Sequence, residues 1–199
     1  MEYVIGIVGK DFTLVASDTS IKHSIINIKN DCDKIFPISD HVMMAACGES
    51  SDVFEFSSYI EKNIQLKNYI QGYELNVNSI ANFTRRELAK SIRSRSPYNV
   101  NLLLGGYDKI IGPRLYYMDY LGSSHETKYA AHGYGAYFTF GILDKFYKKD
   151  MVLDEALELL QLCLNELSKR FIINIDKLLV KTVSLEGSTV LKEYIKPIC

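Results

Sequence analysis

The sequence has no tryptophan, only four cysteines and only four histidines among its 199 residues. No two cysteines form a Cys-x-x-Cys pair, so neither a zinc site nor a disulfide framework is indicated. The histidines show no metal-ligand spacing, and no glycine-rich segment continues as a phosphate-binding loop. We therefore predict no metal, no cofactor and reduced thiols. The residues concerned are Cys32, Cys47, Cys163, Cys199, His23, His41, His125 and His132.

The chain also lacks a large net charge and a long apolar run. Its formal net charge is -1, which offers no general attraction to nucleic acid or to an anionic membrane. No stretch reaches the about 18 apolar residues of a membrane-spanning helix, and the apolar run near the start is too short for a signal peptide. We predict no nucleic-acid partner, no membrane partner, and residence in the cytoplasm and nucleus.

What the chain does contain suits one folded domain over residues 1–199. With 47% hydrophobic and 24% charged residues it can bury a substantial core, and disorder is not expected. No linker, repeat or low-complexity segment interrupts it, so we predict a single domain.

The first part of the chain has the pattern of two hairpins. Residues 3–8 and 12–18 are apolar runs around the turn Gly9-Lys10-Asp11, and both faces of the first strand should be covered because apolar side chains occupy both parities. Residues 34–38 and 42–47 form a second pair. Between the hairpins, residues 22–30 fit either a short irregular strand or an extended loop.

The period then changes to that of helices. One apolar stripe predicts a first helix that ends at Gln71-Gly72. A second helix is predicted over residues 76–93, with Asn76 as a plausible N-cap. Further helices are predicted at residues 134–147 and 152–170, and further strands at 99–107, 114–120, 128–131, 177–184 and 189–194. Hairpins interrupted by helix pairs indicate an α+β fold with antiparallel sheets and helices layered outside. The predicted stripes are Val53, Phe56, Ile60 and Ile64; Val77, Ile80, Ala81, Thr84, Leu88 and Ile92; and Leu153, Ala156, Leu157, Leu160, Leu164 and Leu167.

Six segments spread along nearly the whole chain carry a family resemblance. They are Tyr3-Val4-Ile5-Gly6-Ile7, Leu14-Val15-Ala16-Ser17-Asp18, Asp33-Lys34-Ile35-Phe36, Arg93-Ser94-Arg95-Ser96-Pro97-Tyr98, Gly112-Pro113-Arg114-Leu115-Tyr116-Tyr117-Met118-Asp119-Tyr120 and Ala131-His132-Gly133-Tyr134-Gly135. In these segments the chain resembles the beta subunits of the proteasome. The resemblance implies a four-layer helix/antiparallel sheet/antiparallel sheet/helix sandwich of the N-terminal-nucleophile hydrolase type.

Active subunits of that family begin, after processing, with a threonine whose hydroxyl attacks the peptide bond and whose free amine is the base. The matching position here is Glu2, and no Ser, Thr or Cys precedes Thr13. Asp18 and Lys34 match the assisting acid and lysine of active members. We predict that they are vestigial and form a salt bridge, and that the chain has no catalytic residue.

Three further positions depart from the pattern of active members. The resemblance implies a serine where this chain has Tyr134, and an acid and a serine near Phe171 and Asn174. Groups that act as one catalytic unit are worth little when several are missing. These departures support a chain without hydrolytic activity.

The resemblance implies a non-catalytic structural subunit of a proteasome ring. Its partners would be other beta subunits in the same ring, alpha subunits of the adjacent ring and beta subunits of the opposite ring. Two alternatives stay open, an active threonine-type peptidase and a free-standing binding module. A separate feature is a group of basic residues on the second predicted helix. It could bind phosphates, form a solvent-exposed face of the helix, or contact an acidic neighbouring subunit. Arg86, Lys90 and Arg93 share one face of that helix, and Arg85 and Arg95 lie close by in the sequence.

Overall fold

The computed structural model describes residues 2–23, 26–170, 175 and 177–195. Within these residues the chain order is strands, two helices, strands, two helices and strands. The strands are β1 (Tyr3–Val8), β2 (Phe12–Asp18), β3 (Ile21–His23), β4 (Ile26–Lys29), β5 (Ile35–Ser39), β6 (Val42–Gly48), β7 (Val100–Asp108), β8 (Gly112–Met118), β9 (Ser124–Thr127), β10 (Tyr129–Gly133), β11 (Leu178–Ser184) and β12 (Gly187–Ile195). The helices are α1 (Ser50–Gln71), α2 (Val77–Ser91), α3 (Ala136–Phe146) and α4 (Leu153–Arg170).

Two five-stranded antiparallel sheets form the centre of the fold. The first has the order β10-β1-β2-β11-β12 and the second has the order β5-β6-β7-β8-β9, with β3 and β4 paired as a separate hairpin. Helices α3 and α4 pack together, with α3 against β1 and β10 of the first sheet, while α1 and α2 pack on the second. The predicted α+β four-layer sandwich is confirmed.

Each sheet has two buried faces, which explains the unbroken apolar runs in the sequence. All six residues of β1 are buried. Ile5 and Ile7 belong to the core under α3 and α4, whereas Val4 and Val8 belong to the core between the sheets. Because successive side chains of a strand point to opposite faces, one apolar run serves both cores.

Local signals at the helix ends agree with the structure. The Asn76 side chain accepts a hydrogen bond from the Ser79 N–H at 2.7 Å and so caps α2. Gly72 ends α1 in the left-handed conformation, with a φ of 74°. The predicted end of α1 and the predicted N-cap of α2 are therefore confirmed. Each limit depends on one residue and its near neighbours in the sequence.

The C-terminal end of α2 and the start of α3 differ from the prediction. Ile92 does not face the core: it is 38% exposed, because α2 ends at Ser91 and leaves Ile92 at the C-cap. Helix α3 begins at Ala136 rather than Tyr134, because Gly133 is still paired with Tyr3 in the first sheet.

Two strand assignments also change. Strand β9 lies outside the predicted strands, and β8 begins at Gly112, two residues before the strand predicted over residues 114–120. Of residues 22–30, for which strand and loop were both open, residues 22–23 and 26–29 lie in the paired strands β3 and β4. These segments are polar or contain glycine and proline, so their strand conformation comes from pairing with neighbours.

None of the helices in the described part of the chain is long and apolar enough to cross a membrane. Likewise, among the described residues no three His, Cys, Asp or Glu side chains cluster as a metal site would require.

Candidate functional site

The candidate site lies where the two sheets meet at the start of β1. Strands β1 and β2 are antiparallel, with Val4 opposite Ser17, so the next pair outward brings Tyr3 to Asp18. In the second sheet, the Ala46 N–H of β6 donates to the Lys34 carbonyl at 3.3 Å, which fixes the residue before β5. Two sheets therefore supply opposite walls of one small polar site.

Lys34 and Asp18 form the buried ion pair at its centre. The Lys34 Nζ lies 3.1 Å from Asp18 Oδ1 and 3.2 Å from Oδ2, and it donates to the Ser20 carbonyl at 2.7 Å. The lysine side chain is 2% exposed and the aspartate side chain 3%. Asp18 also accepts from the Tyr3 N–H and the Ser20 hydroxyl, each at 2.9 Å. Every charge is paired, as burial requires.

Glu2 completes a triad with this pair. Its Oε1 lies 3.1 Å from the Lys34 Nζ, and its Oε2 accepts the Gly48 N–H at 2.9 Å. The Glu2 side chain is 14% exposed. A single carboxylate thus binds both the cation and the backbone donor that face the site, and we call Glu2, Asp18 and Lys34 the buried triad.

The backbone of Glu2 is held in place by a glycine. Gly133 pairs with Tyr3 and has a φ of 88°, and a Cβ at this glycine would lie 1.9 Å from the Glu2 carbonyl oxygen. Only glycine fits this approach and this φ. The Tyr3 ring below is buried, and its hydroxyl donates to Thr139 Oγ1 at 3.1 Å.

The thiol beside the site is not a nucleophile. Cys47, directly before Gly48, is 3% exposed. Burial raises the pKa of the Cys47 thiol, and the Glu2 and Asp18 carboxylates raise it further. The thiol is the weak form of a cysteine nucleophile, so these surroundings make Cys47 inert. Cys32 and Cys163 are likewise free and buried.

Two of the hydroxyls in this part of the chain are occupied or displaced. Thr13, the first Ser, Thr or Cys after Glu2, lies opposite Val8 at the far end of the β1–β2 pair. Its Oγ1 donates to the carbonyls of Gly106 and Arg114 at 3.0 and 3.2 Å. The Ser20 hydroxyl donates to Asp18. Neither is placed as the Glu2 position would require.

The remaining predicted positions do not join the triad. Tyr134 is 58% exposed and lines a surface cleft with Tyr137 and Phe140. Phe171 and Asn174 lie outside the described residues, so the prediction about them stays a prediction. The assignment of Asp18 and Lys34 as vestigial also stays a prediction, although the structure brings the two side chains together as the expected salt bridge.

Sequence reasoning missed three groups that complete the site. They are the Gly48 N–H, the Ser20 hydroxyl with its carbonyl, and the Tyr3 N–H. Two of them are backbone donors, which carry no sequence signature. Ser20, two residues after Asp18, is the only one of the three for which a local signal exists, since Asp and Ser side chains bond readily at that spacing.

The two sheets between helix pairs, with the site at the start of the first strand, define the N-terminal-nucleophile hydrolase type of fold. Residues 2–183 match the family described as Proteasome subunit. The chain belongs to this family, which confirms the resemblance found in the sequence.

Individual relatives agree with this assignment. The chain is 43% identical over 188 residues to "Proteasome subunit beta type-4" of Saccharomyces cerevisiae, an alignment covering 94% of this chain and 95% of the relative. It is 42% identical over 194 residues to "Proteasome subunit beta type-2-B" of Arabidopsis thaliana, covering 98% and 96%. It is 43% identical over 194 residues to "Proteasome subunit beta type-2" of Dictyostelium discoideum, covering 96% and 97%.

Proposed function

We propose that this chain is a non-catalytic structural beta subunit of the 20S proteasome core particle. In that position it completes the beta ring, at its fourth place, and supports neighbouring catalytic subunits in ubiquitin-dependent protein degradation. The similarity to relatives named beta type-2 and beta type-4 over nearly their full length supports this proposal.

The observation that carries the absence of catalysis is the binding of the Glu2 carboxylate to Lys34 and Gly48. Acyl transfer needs a hydroxyl or thiol nucleophile, and donors left free for the negative charge that develops on the carbonyl oxygen. Here the nucleophile position holds an acceptor-only side chain, which already binds both a cation and a backbone N–H. The chain is thus a component of a threonine-type peptidase complex without being its catalyst.

The proposed partners are other beta subunits in the same ring, alpha subunits of the adjacent ring and beta subunits of the opposite ring. The surface supports such an assembly because many large apolar side chains are exposed, among them Tyr69, Ile70, Tyr137 and Ile110. Exposed apolar side chains in such number suit protein interfaces. With these partners we also propose residence in the cytoplasm and nucleus, which imaging of a tagged chain in cells would test.

The importance of the supporting groups that are missing besides the nucleophile is tested by the Glu2→Thr variant, matured so that the new threonine carries a free amine. It would be assembled into particles whose genuine catalytic threonines are disabled, and turnover of fluorogenic peptides would be followed. We expect no activity above the disabled background, because Tyr134 replaces a supporting serine and a misplacement of about 1 Å costs on the order of a hundredfold in rate.

Two controls accompany this experiment. The Glu2→Gln variant keeps one acceptor oxygen and turns the other into an NH2 donor that faces either Lys34 or the Gly48 N–H. It weakens the site without adding a nucleophile, and we expect it to stay inactive. Particles with one intact catalytic subunit show that the assay detects turnover. Covalent labelling of the unaltered chain by electrophiles that trap N-terminal threonines would contradict the proposal directly.

The structural assignment is tested by purifying the tagged chain from cells under native conditions. We expect it in a large complex with other proteasome subunits, identified by mass spectrometry. A stable monomer in size-exclusion chromatography, with no such subunits, would favour the free-standing binding module instead.

A further inference from the structure

The C-terminal half of α1, the connection after it and one face of α2 enclose a surface cleft of about 410 Å³. We call it the α1–α2 cleft. It lies on the outer side of the α1–α2 layer, away from the buried triad. Its lining residues are Lys67, Gln71, Leu75, Asn82, Phe83, Arg85 and Arg86.

The lining of this cleft has one sign of charge. It contains three cations and two amides but no carboxylate, although the whole chain has a net charge of -1. Leu75 and Phe83 supply an apolar floor, since both are partly buried and pack against the core beneath α1 and α2. An occupant would therefore meet positive charge at the rim and an apolar surface below.

The cations are positioned over the floor by an aromatic ring. The Lys67 Nζ lies 4.8 Å from the centroid of the Phe83 ring, and the Arg86 Cζ lies 5.6 Å from it. Cations at such distances are attracted by the ring's electron-rich face. Because Phe83 is anchored in the core, this attraction holds two long side chains beside the cleft before any partner binds.

The positive charge of the cleft is largely uncompensated. Arg86 lies 3.5 Å from Glu87, which also binds Lys90 at 2.8 Å. By contrast, within the described part of the chain no carboxylate pairs with Lys67 or with Arg85. The predicted basic group therefore changes its composition: Lys90 is paired on the helix surface, and Lys67 from α1 joins Arg85 as an unpaired cation.

We propose that the α1–α2 cleft binds an acidic helix or loop of a neighbouring proteasome subunit. Carboxylates of that segment pair with Lys67 and Arg85, and one of its apolar side chains packs on Leu75 and Phe83. This inference rests on the proposed function, because it names the chemistry of one partner surface. It goes further by assigning the contact to particular residues.

A protein partner fits this lining better than a phosphate-bearing one. A phosphate would use the cations but not the apolar floor, and at the start of α2 the Ser79 N–H is already bonded to the Asn76 side chain. A nucleic acid would also need a broader basic surface than three cations on a slightly acidic chain. A mixed acidic and apolar segment uses every part of the cleft.

The first test places a photo-crosslinking amino acid at Gln71, on the cleft wall, in the full chain assembled in particles. After irradiation, the crosslinked peptide is identified by mass spectrometry. We expect a peptide from another proteasome subunit, with Asp or Glu within a few residues of the crosslink. A crosslink to nucleic acid, a crosslink to a segment without acidic residues, or no crosslink in assembled particles would overturn the inference.

The second test reverses charge in the Lys67→Glu/Arg85→Glu variant. Its matched control is Lys62→Glu/Arg93→Glu, which makes the same charge change on the same part of the chain, outside the cleft. We expect incorporation into particles to fall at least about tenfold for the cleft variant and to change little for the control. Reversing the acidic residues of the crosslinked partner segment should restore it. Equal incorporation of the two variants would overturn the inference.

The two proposals fail in different ways. If the unaltered chain does not copurify with proteasome subunits, the proposed function fails. If it copurifies but the cleft meets no acidic segment, only the cleft inference fails. Should the charge-reversed variant not fold, as judged by circular dichroism, the crosslink from the otherwise unaltered chain decides.

Discussion

Acid should destabilise this fold through one buried histidine. His132 lies in β10 and is 5% exposed. Its Nε2 donates to the Leu102 carbonyl at 3.1 Å, and its ring stacks on Tyr117 with centroids 4.1 Å apart. Burial lowers the pKa of His132 from 6.5 to about 4, although the hydrogen bond to the carbonyl opposes this. The folded chain therefore holds the neutral imidazole.

The magnitude follows from linkage. Between pH 6.5 and about 4 the unfolded chain binds a proton that the folded chain does not, so the free energy of unfolding falls as the pH falls. Each pH unit in this range costs about 1.36 kcal/mol, so the free energy of unfolding is lower by about 2 kcal/mol at pH 5 and by about 3 kcal/mol at pH 4. Above pH 6.5 this contribution to stability is fully present.

The pH dependence of the free energy of unfolding is measured by urea unfolding, followed by circular dichroism at low micromolar concentration. The unaltered chain is compared with the His132→Gln variant. The glutamine amide can still donate to the Leu102 carbonyl but does not titrate. Glu74 also has a lowered pKa: burial opposes the shift, while the nearby Ser39 hydroxyl and the hydrogen bonds from His41 cause it. Its contribution cancels in the difference between the two proteins. A difference that stays constant from pH 7 to 4 would refute the reasoning.

Other substitutions test the site and the helix ends by the same unfolding measurement. Lys34→Met should cost about 3–5 kcal/mol, because it leaves the two carboxylates of the buried triad without their cation; a cost below about 1 kcal/mol would contradict the pairing. Gly133→Ala should cost more than about 1 kcal/mol through its φ of 88° and the clash with the Glu2 carbonyl. Gly141→Ala, inside α3 with open space around it, should instead gain about 0.5–1 kcal/mol. Asn76→Ala should cost about 1 kcal/mol by removing the cap of α2.

The parts of the fold that local patterns specify were predicted well. The β1–β2 hairpin depends on two apolar runs around a three-residue turn, and the structure has it at the predicted residues. Strand β9, by contrast, reads Ser124-His125-Glu126-Thr127 and has no apolar alternation. It is a strand because it pairs with β8, with Leu115 opposite Thr127. Pairing of this kind is decided by the sheet and not by the segment.

The site was predictable only in part. The resemblance to proteasome beta subunits indicated that Glu2, Asp18 and Lys34 occupy the positions of the site. The sequence also indicated that a nucleophile is missing there. It could not indicate that the Glu2 carboxylate reaches the Gly48 N–H, a contact across 46 residues of chain. That contact requires the start of β1 and the end of β6 to meet, which depends on how two sheets stack.

This geometry gives the buried triad a structural role. Both carboxylates come from the first sheet, from the residue before β1 and from the end of β2, whereas Lys34 and the Gly48 N–H belong to the second. The ion pairs therefore join the two sheets at one edge of the inner core. A buried ion pair is weak in net energy but specific in geometry, since each charge tolerates few alternative arrangements. In a subunit whose surfaces must meet several neighbours, a fixed angle between the sheets keeps the α1–α2 layer and the α3–α4 layer, one on each sheet, in a constant relation.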